Sequence, residues 1–304
     1  MRVAAIVITY NRHELLKECL DSILSGTVVP DVIVVDNAST DNTPDLVKNY
    51  PVKYVRLENN LGPAGGAEAG QRYAYENKYD FVWMLDDDVV VSKDALYELL
   101  HYYDLLVRQF NKIFLSSVTY GDKEFKKPFY NLLRYDFRTG LTKKIRDEEF
   151  HRDYFEYDIA PMNGLFIPRE VFDIVGFFNG KLWGWYDDTE FVLRSKKVGF
   201  RGFAITKSKI YHPIEYRKQV KILGKTFTIL SGRPYRMYLG TRNNITVQKK
   251  FLKPWNFYFI FLPAFIFKRF ISIVFFYDNK KEFLKNFFRG IIDGLKEKLE
   301  VQNV

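Results

Sequence analysis

Three consecutive aspartates, Asp86-Asp87-Asp88, close the apolar run Phe81-Val82-Trp83-Met84-Leu85. A strand that stops in a carboxylate cluster presents acidic side chains at one edge of a sheet. In open α/β folds, ligands gather outside the carboxyl edge. Like charges this close repel strongly where water is scarce. A divalent cation relieves that repulsion, and carboxylate oxygens suit Mg²⁺ or Mn²⁺. Such an ion would in turn suit a diphosphate. The plain alternative is a solvated acidic loop, and the rest of the chain bears on the choice.

A second acidic cluster lies in Trp183-Gly184-Trp185-Tyr186-Asp187-Asp188-Thr189-Glu190, ahead of an amphipathic stretch containing Phe191, Val192 and Val198. Carboxylates flanked by indoles are partly desolvated, which tunes them toward general-base work. The competing local role is N-capping by Asp187 or Asp188, with Glu190 in the first turn. His212, in Ile210-Tyr211-His212-Pro213, follows another strand-like run and is one of only four histidines. It is a candidate ligand or a structural histidine.

Asp36 ends the run Val32-Ile33-Val34-Val35, and Thr9-Tyr10-Asn11 end the first apolar run. Side by side they form a polar notch able to pair with a base or ribose. In Asn59-Asn60-Leu61-Gly62-Pro63-Ala64-Gly65-Gly66 the glycines allow close backbone approach, and a helix start there favours anions. The segment lacks the Lys-Ser/Thr of a P-loop and the spacing of a dinucleotide fingerprint.

The elements that must position these residues follow from periodicity. Strands are predicted at Val3–Ile8, Asp31–Val35, Val52–Leu57 and Asp80–Leu85, and helices at Arg12–Leu24, Asp45–Asn49 and Ala64–Asn77. Asp41-Asn42-Thr43-Pro44 reads as a helix start. The βαβαβαβ order implies a mostly parallel sheet with right-handed crossovers. Residues 120–158 are polar, aromatic and irregular, too long for an ordinary connection, and suggest a substrate-binding excursion.

The 304-residue chain holds a single cysteine, Cys19, which excludes an intramolecular disulfide and fits a reducing cytoplasm. Its amino terminus reads as a first strand rather than a signal peptide. The net charge of +9 is unevenly spread. Residues 1–193 carry 22 Lys and Arg against 31 Asp and Glu, whereas residues 194–304 carry 24 against 6. A basic half can face nucleic acid, anionic lipid or phosphorylated acceptors. A nucleic-acid-binding module would leave both aspartate clusters idle, so nucleic acid is not the expected partner.

From Pro254 the chain is aromatic and apolar, with Pro263, Lys268 and Arg269 falling inside the stretch. Phe283, Phe287, Ile291, Leu295 and Leu299 then recur every fourth residue among lysines and arginines. A basic, Phe-rich amphipathic helix reads as lying in a membrane interface. Packing against the rest of the chain or a second subunit is the alternative, so an oligomer stays possible.

Four motifs occur in order: Ile6-Val7-Ile8-Thr9-Tyr10-Asn11-Arg12, Val34-Val35-Asp36-Asn37-Ala38-Ser39-Thr40-Asp41, Asn60-Leu61-Gly62-Pro63-Ala64-Gly65-Gly66 and Leu85-Asp86-Asp87-Asp88. Together they resemble the family 2 inverting glycosyltransferases of GT-A fold. Met162–Ile167, the run through Trp185–Phe191, and Arg242-Asn243-Asn244 look like its galactofuranosyltransferase and rhamnosyltransferase branch. The resemblance covers residues 1–250 and implies an α/β, Rossmann-like, mostly parallel sheet with a carboxy-terminal helical extension over 251–304. It implies that Thr9, Tyr10 and Asp36 hold base and ribose, and that Asn60 and Gly62 lie along the donor. Asp86 and Asp88 match the DXD pair carrying Mn²⁺ or Mg²⁺, and His212 matches the metal histidine. Asp188 matches the base, with Asp187 the alternative, because Tyr186 stands where the family usually joins tryptophan directly to the aspartates. The implied donor is a nucleotide sugar, UDP-galactofuranose before dTDP-rhamnose. The implied acceptor is a polyprenyl-diphosphate-linked glycan at the cytoplasmic face of an anionic membrane, in bacterial cell-surface polysaccharide synthesis.

Overall fold

Val3, Ala5 and Val7 alternate with Ala4, Ile6 and Ile8 along the first strand, and both sets are buried in separate apolar clusters. That two-sided burial marks an inner strand of a sheet covered on both faces. The computed structural model describes residues 1–129, 131–213, 218–222, 225–229 and 233–299. Tyr130 of the aromatic stretch and residues 300–304 of the carboxy-terminal region lie outside the described residues. The chain runs β1 (Val3–Thr9), α1 (His13–Leu24), β2 (Asp31–Asp36), α2 (Thr43–Val47), β3 (Lys53–Arg56), α3 (Gly62–Glu76) and β4 (Phe81–Asp86). Then follow β5 (Val90–Val91), α4 (Ala95–Phe110), β6 (Ile113–Tyr120), β7 (Leu133–Tyr135), β8 (Thr142–Lys144), β9 (Tyr154–Tyr157), β10 (Leu165–Pro168), α5 (Arg169–Val175), α6 (Asp187–Lys197) and β11 (Arg201–Tyr211).

The main sheet has the order β3-β2-β1-β4-β10-β6-β11-β5, with β9 also pairing β11. β1, β2, β3 and β4 are parallel. β10 runs antiparallel to both β4 and β6, and β11 is parallel to β6. β11 therefore ends at the same edge as β1, β2 and β4. Leu16, Leu20 and Ile23 of α1 and Leu96 and Leu99 of α4 join one apolar cluster, and Ala67 and Ala74 of α3 the other. Each fully buried Ile or Leu contributes about 1.5–3 kcal/mol through apolar area removed from water.

Two compact units result. The first comprises Met1–Arg134, Lys143–Trp183 and Asp187–Pro213; the second comprises Tyr135–Thr142, Gly184–Tyr186 and Ile214–Val304. This differs from a boundary at residue 250. The reason is that α7 (Pro234–Phe251) packs along the helix Lys280–Leu295. A Cβ at Gly290 would lie 2.8 Å from the Tyr238 carbonyl oxygen, and one at Gly294 would lie 2.7 Å from that of Arg242. Those two glycines, one turn apart, let the backbones close together.

That packing corrects the reading of the Phe283-Phe287-Ile291 stripe as a membrane face, since all three side chains are buried. The apolar stretch before it is one continuous helix, Pro254–Phe276, despite Pro263. A π-helical segment, Phe257–Phe261, ends two residues before the proline. Its wider hydrogen-bond spacing absorbs the missing N–H. Among the described residues this is the helix long and apolar enough to cross a membrane, by length and composition. Much of the aromatic excursion is also core: Tyr120, Tyr135, Phe155 and Tyr157 are buried, and β9 extends the sheet.

Candidate functional site

The register between strands brings the acidic residues together. Ile8 pairs with Asp86 across β1 and β4, and Thr9 pairs with Asp36 across β1 and β2. Thr9 donates its hydroxyl to Asp87 Oδ2 at 2.8 Å. The Asp86 N–H donates to Asn163 Oδ1 at 3.2 Å, fixing the point where β4 leaves the sheet. Arg12 reaches across with Nη1 3.4 Å from Asp87 Oδ1 and 3.1 Å from Asp88 Oδ2. The sequence places Arg12 beside Thr9-Tyr10-Asn11 but offers no sign that it would serve the aspartates.

β11 delivers His212 to the same edge, where its N–H donates to the Tyr120 carbonyl. His212 Nε2 lies 3.3 Å from Asp88 Oδ1 and 3.7 Å from Asp86 Oδ2. One donor atom from each of Asp86, Asp88 and His212 falls within a common 4.8 Å. Two carboxylate oxygens and an imidazole nitrogen are ligands that suit Mn²⁺, and Asp88 Oδ1 is buried with no hydrogen-bond donor on it among the described residues. The residues fit a divalent cation. Burial, together with the charges of Asp88 and Asp87, pushes Asp86 well above the usual carboxylate range. Burial likewise raises Asp87, to about 6. Carboxylates this crowded gain from an added positive charge.

The notch beside them is more occupied than its sequence suggests. Asp36 is fully buried, with Oδ1 accepting the Ser39 N–H at 2.7 Å and Oδ2 accepting the Tyr54 hydroxyl at 2.5 Å. Arg56 Nη1 adds a contact to Oδ2 at 3.4 Å. Tyr10 is exposed. Asn60 Oδ1 accepts the Gly62 N–H at 2.8 Å, and Asn37 bonds both Leu61 and Gly62, tying the glycine-rich loop to the end of β2.

Gly62 has φ +72°, and a Cβ there would lie 2.2 Å from the Trp183 carbonyl oxygen. That same oxygen accepts the Ala64 N–H at 3.1 Å. The close approach that Gly62 permits is therefore by Trp183, and one of the α3 amino-terminal donors expected for an anion is already used.

Trp183 leads into the second acidic cluster. Trp183, Trp185 and Tyr186 all have positive φ, between 62° and 66°. For residues with a Cβ this conformation costs about 1–2 kcal/mol each. Asn243 of α7 donates both amide hydrogens to this turn, to the Gly184 carbonyl at 2.7 Å and the Trp185 carbonyl at 2.9 Å. The next residue, Asp187, opens α6 and is buried, whereas Asp188 is half-buried. Asp188 lies inside α6, and its Oδ1 accepts the N–H of the adjacent Thr189 at 2.5 Å, a local contact rather than an N-cap. Glu190 instead pairs with Arg194 at 2.8 Å. Burial raises both Asp187, to about 7, and Asp188, and the charge of Asp188 adds to the rise at Asp187. A half-buried carboxylate with raised proton affinity is suited to general-base work.

Comparison with known proteins agrees with this architecture. The family model "Glycosyl transferase family 2" matches residues 4–156, half of the chain. The dTDP-rhamnosyl transferase RfbF of Shigella flexneri is 27% identical over 299 residues, covering 97% of this chain and 95% of that protein. The galactofuranosyltransferase GlfT1 of Mycolicibacterium smegmatis is 40% identical over 89 residues, covering 28% of this chain and 30% of that one. Among solved structures, the mannosyltransferase PcManGT from Pyrobaculum calidifontis, in complex with GDP-Man and Mn²⁺, superposes with a TM-score of 0.58. That match is at 16% identity and covers 98% of this chain and 88% of that one.

Proposed function

The chain belongs to glycosyl transferase family 2, and we propose that it is a metal-dependent inverting glycosyltransferase that uses a nucleotide sugar. The observation that carries this reading is the convergence of Asp86, Asp88 and His212 at the sheet edge that also bears Thr9 and Asp36. Asp86, Asp88 and His212 would hold Mn²⁺ or Mg²⁺, which when bound supplies charge that neutralises a leaving diphosphate. Asp188 accepts the proton of an acceptor hydroxyl as that oxygen bonds to the anomeric carbon and the carbon–oxygen bond to the diphosphate breaks. Thr9, Tyr10 and Asp36 border the base and ribose, and Asn60 and Gly62 shape the loop along the donor.

Two donors fit. The end-to-end match to a dTDP-rhamnosyl transferase supports dTDP-rhamnose. The shorter but more identical match to a galactofuranosyltransferase supports UDP-galactofuranose. We place dTDP-rhamnose first, because the longer match extends beyond the donor-binding half. Nucleotide release from a panel of dTDP- and UDP-sugars, with Mn²⁺ and again with EDTA, tests the class and the donor together. Release from one donor that EDTA abolishes is the expected result. Release at the same rate in EDTA would overturn metal dependence.

The acceptor in this reading is a polyprenyl-diphosphate-linked glycan, met at the cytoplasmic face of an anionic membrane. The helix Pro254–Phe276 supports it, with Trp255, Phe259, Phe267 and Phe275 each 64–69% exposed. Lys250, Lys253, Lys280 and Lys281 flank it. Exposed aromatics between basic ends suit an anionic interface. Co-sedimentation with phosphatidylglycerol vesicles is expected, with affinity falling at least tenfold when these four aromatics become serine. Undiminished binding of that variant would remove the helix from the membrane reading.

A further inference from the structure

The buried amide of Asn243 holds two successive carbonyls of the turn ahead of α6, and we infer that Asn243 is a positioning residue for the catalytic base. This rests on the assignment of Asp188 above. Asn243 is fully buried, and its Oδ1 accepts Arg242 Nε at 2.9 Å, which orients the amide so that Nδ2 faces the turn. Both Nδ2 hydrogens are then used on successive carbonyls, those of Gly184 and Trp185. A primary amide is the side chain suited to this, since one nitrogen supplies two donors.

The turn it grips needs holding. Three of its four residues, Trp183, Trp185 and Tyr186, adopt the left-handed region without being glycine. Such conformations persist only where the surroundings over-determine them, and they collect where geometry matters for function. From Tyr186 the backbone passes directly into Asp187 and Asp188. Releasing the two carbonyls lets the turn relax, and the relaxation is passed along the chain to the base. A displacement of about an ångström at a reacting group costs roughly a hundredfold in rate. The metal cluster is built on β4 and β11, and the donor loop meets the turn at Trp183, whose carbonyl accepts the Ala64 N–H, rather than at the two carbonyls that Asn243 holds.

The test compares Asn243→Ala, Asn243→Ser, Asp188→Asn and the Asn243→Ala/Asp188→Asn double variant of the full chain. Asn243→Ala is expected to lower kcat about 10- to 100-fold while Mn²⁺-dependent nucleotide affinity stays within about twofold. Asn243→Ser keeps one donor and is expected to lose less; it carries the test if the alanine variant does not fold. The double variant is expected to transfer no more slowly than Asp188→Asn alone, because both changes act through one group. Losses that multiply in the double variant, or nucleotide affinity falling in step with kcat, would show a merely structural role. Wild-type kcat in Asn243→Ala beside an inactive Asp188→Asn would overturn the positioning role while leaving the base in place. Full activity in Asp188→Asn would overturn the base itself.

Discussion

Asp188→Asn is expected to bind a nucleotide sugar with Mn²⁺ as the unchanged protein does, and to lose transfer by about 10²- to 10⁴-fold, the range of general-base catalysis. The substitution keeps the shape and the oxygen that accepts the Thr189 N–H but removes the proton acceptor. Asp86, Asp88 and His212 belong to other elements and are left intact. Asp188 is chosen over Asp187 because it is half-buried, while Asp187 is only 6% exposed. Raised proton affinity sets the pH dependence. A carboxyl whose folded pKa is raised keeps its proton to higher pH than it would in the unfolded chain. Activity follows the deprotonated form of Asp188, so transfer rises with pH through an acidic limb that burial places above the usual carboxylate range. The two aspartates titrate as a pair, so the limb belongs to both. Stability moves the other way, because the folded state holds the extra proton on Asp187 between about 4 and 7 and loses that advantage as pH rises through 7. Asp187→Asn removes a neighbouring charge and is expected to shift the limb to lower pH with a smaller loss of rate. Steady-state rates between pH 5 and 9, set beside nucleotide binding, check the statements on transfer, and denaturation midpoints over the same range check the one on stability. Undiminished transfer in Asp188→Asn would end the assignment.

Much of the nucleotide half was readable in the residues because each strand there announces its own end. Val3–Thr9, Asp31–Asp36 and Phe81–Asp86 are apolar runs that stop at a polar residue. Parallel pairing then puts those stops on one edge, so Asp36 and Asp86 converge without any long-range information. His212 needed more. Its place beside Asp88 depends on β10 inserting antiparallel between β4 and β6, which reverses direction twice and returns β11 to the same edge. No local pattern encodes that insertion.

What stayed hidden were contacts between distant segments. Gly62 reads as a residue for a ligand's approach, yet it accommodates Trp183, far along the chain. Arg12 reads as a helix start, yet it meets two aspartates more than seventy residues away. The carboxy-terminal stripe reads as a membrane face because amphipathicity records that a face is buried, and not against what. Gly290 and Gly294 close against α7, while Phe287 packs near Phe265 and Phe283 near Tyr277. The apolar helix before it showed the opposite problem: Pro263 reads as a break, and the π-helical turn that accommodates it has no signature in composition.

Asp88→Ala is expected to lower Mn²⁺-dependent nucleotide affinity by about 10- to 100-fold and to bring transfer close to the level seen in EDTA. Asp88 is the aspartate of the cluster that both Arg12 and His212 approach within 3.3 Å. His212 Nε2 faces its Oδ1, and Arg12 Nη1 faces its Oδ2. Removing this carboxylate leaves Asp86 and His212, two ligands where an ion that keeps several waters already has few protein donors. It also leaves Arg12 with Asp87 as its remaining acidic contact of the pair. Asp88→Asn separates charge from position, because it keeps a neutral oxygen in place. It is expected to bind nucleotide at raised Mn²⁺ concentration, whereas the alanine variant is not. Titrating Mn²⁺ calorimetrically against each variant at fixed nucleotide gives both answers. If Asp88→Ala shows the Mn²⁺ dependence of the unchanged protein, the cation is held elsewhere. The crowding of three aspartates at the end of β4 would then be relieved by Arg12, which meets Asp87 and Asp88.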